Sequence, residues 1–276
     1  MLKSYAFDVD YNLIFTNDTI ILDKKGSDNN RSPVEVSQKD YEEFIKDKIN
    51  YRHFNDSIEQ SMVNFRGADR YEKTIFDAIN QGKFGPSWEK FVEANRYASP
   101  MAFITARGHH AEDLKETHRK IIYDVLTSGH REDLIYSMKE RLGNYKLSDD
   151  VVIDTYLNDN YYAPCSNETF LETINKNVSD SMPARKNAAF EQFVIHTKQV
   201  FEKYYGTNFM STRKIRVGFS DDTYKNIEGL HNFIYTKNTG MMRRYPEILF
   251  RLYNTFEIRT APTKFSYKNP EEEKID

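Results

Sequence analysis

Apolar positions along the chain follow two different periods. Short runs rich in β-branched and aromatic residues recur near 4–10, 100–105, 161–165 and 214–219, and between them apolar residues return every three or four positions. The first pattern is that of buried strands, the second that of amphipathic helices. It predicts a strand over 4–10, then a small hairpin over 13–23 that turns at Asn17-Asp18 and hangs over the end of that strand. A polar loop is expected over 24–36. Ser37-Gln38-Lys39-Asp40 resembles a capping box, followed at helical spacing by Tyr41, Phe44, Ile45 and Ile49. Further helices are expected over about 56–65 and 69–80. Gly82, Gly85 and Pro86 interrupt the pattern before Ser87 opens a helix with Phe91, Val92 and Tyr97 on one side.

The strand over 100–105 leads into a helix over about 111–127. Residues 131–142 read as helix, 143–158 as loop or irregular strand, 161–165 as a strand carrying Pro164, and 168–177 as a short helix. From Pro183 a strong amphipathic helix buries Phe190, Phe193, Val194, Thr197, Val200, Phe201 and Tyr204 and stops at Gly206. Then follow a strand at 214–219, a helix at 223–231, a strand at 232–236, a helical piece at about 244–253 and a strand at 255–260. The charged end, 269–276, is expected to fray. This alternation predicts an α/β fold, a mostly parallel sheet with helices on both faces. The expected organisation is a core over 1–240 with helical insertions at about 38–98 and 128–180, and a C-terminal extension, 241–276, packed on it.

Charge narrows the picture little. The 276 residues hold 39 Lys+Arg and 42 Asp+Glu, so a net charge of −3 gives no general pull toward nucleic acid or membrane. The one cysteine, Cys165, excludes an internal disulfide framework and reads as a small buried apolar residue. No signal-peptide pattern and no membrane-length apolar stretch occur, which predicts a soluble, cytoplasmic protein.

The candidate chemistry sits at strand ends. Asp8 and Asp10 lie one residue apart where the first strand stops, so both carboxylates can face one site. Two carboxylates that close repel unless a cation lies between them, which suggests a hard divalent ion such as Mg²⁺. Thr105 ends the strand at 100–105, Arg107 follows two residues on, and Asp221-Asp222 end the strand at 214–219. In open α/β sheets, sites form beyond the carboxyl ends of the strands. His109 and His110 open a helix with nothing nearby to complete a metal set.

In this order the residues resemble the haloacid dehalogenase-like superfamily of Mg²⁺-dependent phosphohydrolases. Phe7-Asp8-Val9-Asp10 is similar to its first motif, Phe103-Ile104-Thr105 to the second, Lys186 at the head of its helix to the third, and Val217-Gly218-Phe219-Ser220-Asp221-Asp222 with Asn226 to the fourth. Tyr11-Asn12 stand where the family usually has Gly-Thr, and Asp221-Asp222 where Gly-Asp is common. The resemblance implies a Rossmann-like sheet and a phosphomonoesterase acting through an aspartyl-phosphate. Asp8 would be the nucleophile and Asp10 the acid/base. Asp8, Asp10, Asp222 and Asp221 would form the metal site, with Asp222 the direct ligand. Thr105 and Lys186 would hold the phosphoryl group, with Asn226 orienting Lys186 or its loop. Arg107, two residues past Thr105, is read either as reaching a substrate phosphate or as pairing with a surface acid. Lys198 is the rival to Lys186. The expected partner is a phosphorylated substrate: a nucleotide, a nucleic-acid end, a phosphoprotein or a small metabolite. A scaffold that keeps the fold without turnover, or phosphate transfer within a sugar, are the competing expectations.

Overall fold

The structure, a computed structural model, describes residues 1–27, 30–65, 68–210 and 213–256. In chain order the elements are β1 (Leu2–Phe7), β2 (Thr19–Lys25), β3 (Arg31–Ser37), α1 (Gln38–Phe44), β4 (Tyr51–His53), α2 (Ile58–Ser61), α3 (Ala68–Asn80) and α4 (Trp88–Arg96). Then come β5 (Met101–Thr105), α5 (Ala111–Lys120), α6 (Ser128–Leu142), α7 (Asp149–Asn158), β6 (Tyr161–Pro164), α8 (Glu168–Thr173) and α9 (Met182–Tyr205). The last are α10 (Thr207–Met210), β7 (Ile215–Asp221), α11 (Tyr224–Tyr235), α12 (Met241–Arg244) and β8 (Ile248–Asn254).

Five strands form one parallel sheet in the order β6-β5-β1-β7-β8. Side chains alternate across it. Ala6, Ala102 and Ile104 face a core shared with α8, α9 and α11, whereas Phe7, Met101 and Phe103 face one shared with α3, α4, α5, α6 and α7. Helices therefore cover both faces, as an all-parallel sheet requires. The chain winds outward from β1 to β5 and β6, then returns to the other side of β1 for β7 and β8. The junction of β1 and β7 is thus where the winding reverses, the place such sheets use for ligands.

Several expectations are corrected. The hairpin is not 13–23: β2 pairs antiparallel with β3 along its full length, so the region 24–36 read as loop is largely strand. β4 adds to β2, and this three-stranded sheet encloses its own small core of Ile20, Leu22, Val36 and Phe65. Of these strands only the three-residue β4 falls within the expected insertion at 38–98, which otherwise carries α1, α2, α3 and α4; β2 and β3 precede it. A sheet covered on one face only needs few apolar residues, which is why its polar strands read as loop. Residues 149–158, read as loop, are α7. Val152, Ile153, Tyr156 and Leu157 make its buried stripe, and the β-branched run hid the period. The strand at 232–236 is the end of α11, where Leu230 and Ile234 keep helical spacing. The helical piece at 244–253 is mostly β8, whose Ile248, Phe250 and Leu252 alternate inward. β8 is the edge strand of the main sheet, in register with β7 from Ile215↔Ile248 to Asp221↔Asn254. Of the expected strand at 255–260, residues 257–260 lie outside the described residues, as does the end at 269–276. No helix among the described residues is long and apolar enough to cross a membrane.

One buried group makes stability depend on pH. His118 is fully enclosed, with Nδ1 3.0 Å from Tyr162 Oη and Nε2 2.9 Å from Asn95 Oδ1. The Asn95 amide already donates to Phe91 O, so its Oδ1 accepts from Nε2–H, leaving Nδ1 to accept from Tyr162. Both nitrogens are satisfied in the neutral ring, and burial pushes its pKa down to about 3. Below the ordinary value near ~6.5 the unfolded chain binds a proton that the folded chain refuses. Stability is therefore fully present above that pH and falls by about 1.4 kcal/mol per pH unit on acidification. Urea unfolding at pH 7 and pH 5 checks this, with His118→Gln expected to flatten the slope.

Candidate functional site

β1 ends at Phe7, opposite Ser220 of β7, and the ladder continues as the Asp8 N–H donates to Ser220 O at 2.9 Å. That register brings Asp8 level with Asp221. Carboxylate oxygens of Asp8, Asp221 and Asp222 lie within 4.8 Å of one another. Lys186 joins them from α9. Ser181 caps that helix through the Ala184 N–H, and Pro183 is in its first turn. Lys186 heads the same buried stripe as Ala189, Phe190, Phe193 and Val194, so packing this stripe on the sheet aims the ammonium at the strand ends. Its Nζ is 3.0 Å from Asp8 Oδ1 and 2.6 Å from Asp221 Oδ2. Lys198 instead forms a partly exposed pair with Glu247.

The three acids are not equivalent. Asp221 is fully buried and saturated: Lys186, the Thr223 N–H at 2.8 Å and the Asn226 amide at 3.1 Å all donate to it. Asn226 thus braces Asp221 rather than Lys186. Asp8 Oδ1 and Asp222 Oδ1 are buried and accept no hydrogen bond of good geometry. Burial raises the Asp8 carboxyl well above the usual range; Lys186 opposes this, while Asp221, Asp222 and Asp10 add to it. Burial, then the charge of Asp221, lifts Asp222 to about 7. Burial works against the Lys186 ammonium, yet Asp221 and Asp8 hold its pKa above the ordinary value. Three carboxylates face one ammonium, two positive charges short of balance. With Asp8 Oδ1 held only by the Lys186 ion pair and Asp222 Oδ1 accepting no hydrogen bond, the donor set fits a hard divalent cation.

Asp10 does not join this cluster. Its oxygens accept from Arg107 Nε at 2.9 Å, Arg107 Nη2 at 2.6 Å and Thr16 Oγ1 at 2.7 Å. Burial raises its pKa, but Arg107's charge and hydrogen bonds, with Thr16's, hold it below the ordinary value. Arg107, read as reaching a substrate phosphate or pairing with a surface acid, pairs with acids, but buried ones, and is fully enclosed. It also pairs with Asp18 at 2.5 Å and lies 5.2 Å from the ring centroids of Phe65 and Tyr71. Asp18, read as a hairpin turn residue, is a buried acid that also accepts from Thr74 at 2.9 Å. Thr105 ends β5, the strand beside β1. It is buried, and its Oγ1 accepts from the Arg107 N–H at 3.3 Å. His109 packs on Tyr71 and joins no metal set among the described residues.

Sequence reasoning missed the group that fixes Asp8's backbone. Asn12, fully buried, donates to Asp8 O at 2.9 Å and to Ser220 Oγ at 3.0 Å, and accepts from Ser87 at 2.8 Å and Thr255 at 3.0 Å. Ser87 stands at the start of α4, yet its hydroxyl serves Asn12 rather than the helix. Gly85 lets this loop close: a Cβ there would lie 2.4 Å from Asn12 O. The available signal was the departure itself, Tyr11-Asn12 for Gly-Thr. Tyr11 adopts φ +58°, a left-handed conformation that costs a non-glycine residue about 1–2 kcal/mol. Comparison of the chain with protein-family models, with curated proteins and with solved structures returned no match.

Proposed function

We propose that the chain is a phosphomonoester hydrolase of the haloacid dehalogenase-like kind, using Mg²⁺ and an aspartyl-phosphate on Asp8. The observation that carries this reading is the cluster of Asp8, Asp221 and Asp222 around Lys186 where the sheet's winding reverses. Asp8 and Asp222 would supply the oxygens for the cation, with the hydrogen-bonded Asp221 adding charge beside them. Once bound, Mg²⁺ screens the charge of nucleophile and phosphate and orients the phosphoryl oxygens. An Asp8 oxygen attacks phosphorus, the bond to the ester oxygen breaks, and the leaving oxygen takes a proton. Water then attacks the acyl-phosphate, releasing inorganic phosphate and restoring the carboxylate. Lys186 would neutralise charge on both partners, and the hydroxyl of Thr105, from the end of the neighbouring strand, would donate to the phosphoryl group.

Asp10 serves as acid and base only after it leaves Arg107. That clamp favours a second reading, a cation-binding scaffold without turnover. The two separate in one assay. Given a generic aryl phosphate, the enzyme releases phosphate in Mg²⁺ and stops in EDTA. Mg²⁺ that raises the melting temperature without any phosphate release supports the scaffold, and no response to Mg²⁺ in either measurement defeats both.

A further inference from the structure

Tyr11 occupies a backbone conformation that glycine would take without strain, immediately after Asp10 and three residues past the nucleophile. A side chain kept in such a place is held by its surroundings and tends to mark function. The Tyr11 N–H donates to Ile14 O at 2.9 Å, which closes the turn. The ring, half-buried, meets Phe15 edge-on with centroids 6.0 Å apart, and Phe15 itself is 37% exposed. Burial first, then the charges of Asp10 and Asp222, raise the pKa of the Tyr11 hydroxyl, so the half-buried ring shares the acidic surroundings of the strand ends. From the other strand, the half-exposed Tyr224 opens α11 two residues past Asp222. Aromatic rings thus follow the acidic cluster on both of the strands that build it. A flat ring on the substrate could stack on them, whereas an alkyl group would gain little.

We propose that Tyr11 is a specificity-determining residue that packs against an aromatic ring carried by the leaving group of a phosphomonoester. This rests on the phosphohydrolase reading and narrows it. The ring is either esterified directly, as in an aryl phosphate, or one sugar away, as in a nucleoside monophosphate. Phenyl against ethyl phosphate tests the first source, and thymidine 5′-monophosphate against ribose 5-phosphate the second.

The variant is Tyr11→Gly, whose relief of backbone strain offsets the loss of the ring's contact with Phe15; its melting temperature is read beside the kinetics. The ratio of KM values within one of these pairs is expected to shift about tenfold toward the non-aromatic substrate, with Tyr11→Phe keeping most of the wild-type preference. The pair that shifts identifies the source. An unchanged ratio in both pairs, or an equal loss on all four substrates, overturns the proposal while Asp8-dependent turnover keeps the underlying reading intact. Absence of Asp8-dependent turnover on every ester overturns both.

Discussion

Asp8→Asn is expected to lower Mg²⁺-dependent phosphate release by about 10⁴-fold or more while leaving the fold intact. The amide keeps the shape of the side chain but cannot form the acyl-phosphate on which the two-step route depends. Stability should move the other way. Burial and three neighbouring acids raise the Asp8 pKa, with only Lys186 opposing. A carboxyl whose folded pKa lies above its unfolded value contributes fully below the unfolded value, about 4, and loses that contribution as pH rises from there through the folded value. The wild type in EDTA therefore becomes less stable between about pH 4 and pH 7 on this group's account. The Asn variant lacks the slope and melts higher than the wild type at pH 7 without metal. Mg²⁺ reverses the order, because the wild type offers it one more ligand. Phosphate release and calorimetry with and without EDTA check both halves; a variant as active as the wild type would remove Asp8 from the chemistry.

The strand ends were legible because strand-end acids and a strand-end threonine are local features. Lys186 was legible because the apolar stripe of α9 runs through it, and the structure adds the distances that separate it from Lys198. What escaped was non-local. Asn12 contacts Ser220 and Thr255, more than two hundred residues away, and no period in the sequence encodes such a pairing. Arg107 and Asp10 show the same limit. Each sits at a strand end where a ligand could reach it, but Asp18 from the segment before β2, with Phe65 and Tyr71 from the first insertion, encloses the pair. The small sheet β3-β2-β4 and the edge strand β8 were misread because alternation over a few residues, with one face polar, is easily taken for loop or helix.

Lys186→Met should be strongly destabilising, and most of all without metal. The ammonium is the cation that Asp8 and Asp221 share, and both acids are buried. Removing one partner of a buried ion pair leaves charge uncompensated and costs about 3–5 kcal/mol. Asp8 and Asp222 can escape by binding protons, since both have raised pKa values. The loss should therefore be larger at pH 8 than at pH 5.5, the opposite trend to that expected of His118. Mg²⁺ should restore part of it by supplying charge to the same oxygens. Turnover, by contrast, should stay about 10²–10³-fold down even in saturating Mg²⁺, because charge on the phosphoryl group is no longer neutralised from the α9 side. Lys198→Met is the control. Its pair with Glu247 is partly exposed, so the change is worth about 1 kcal/mol or less and leaves turnover alone. Urea titrations of both variants at the two pH values, with EDTA or Mg²⁺, separate the cases. If Lys186→Met at pH 8 in EDTA is as stable as the wild type, the ammonium does not compensate the three acids, and the electrostatic account of the site fails with it.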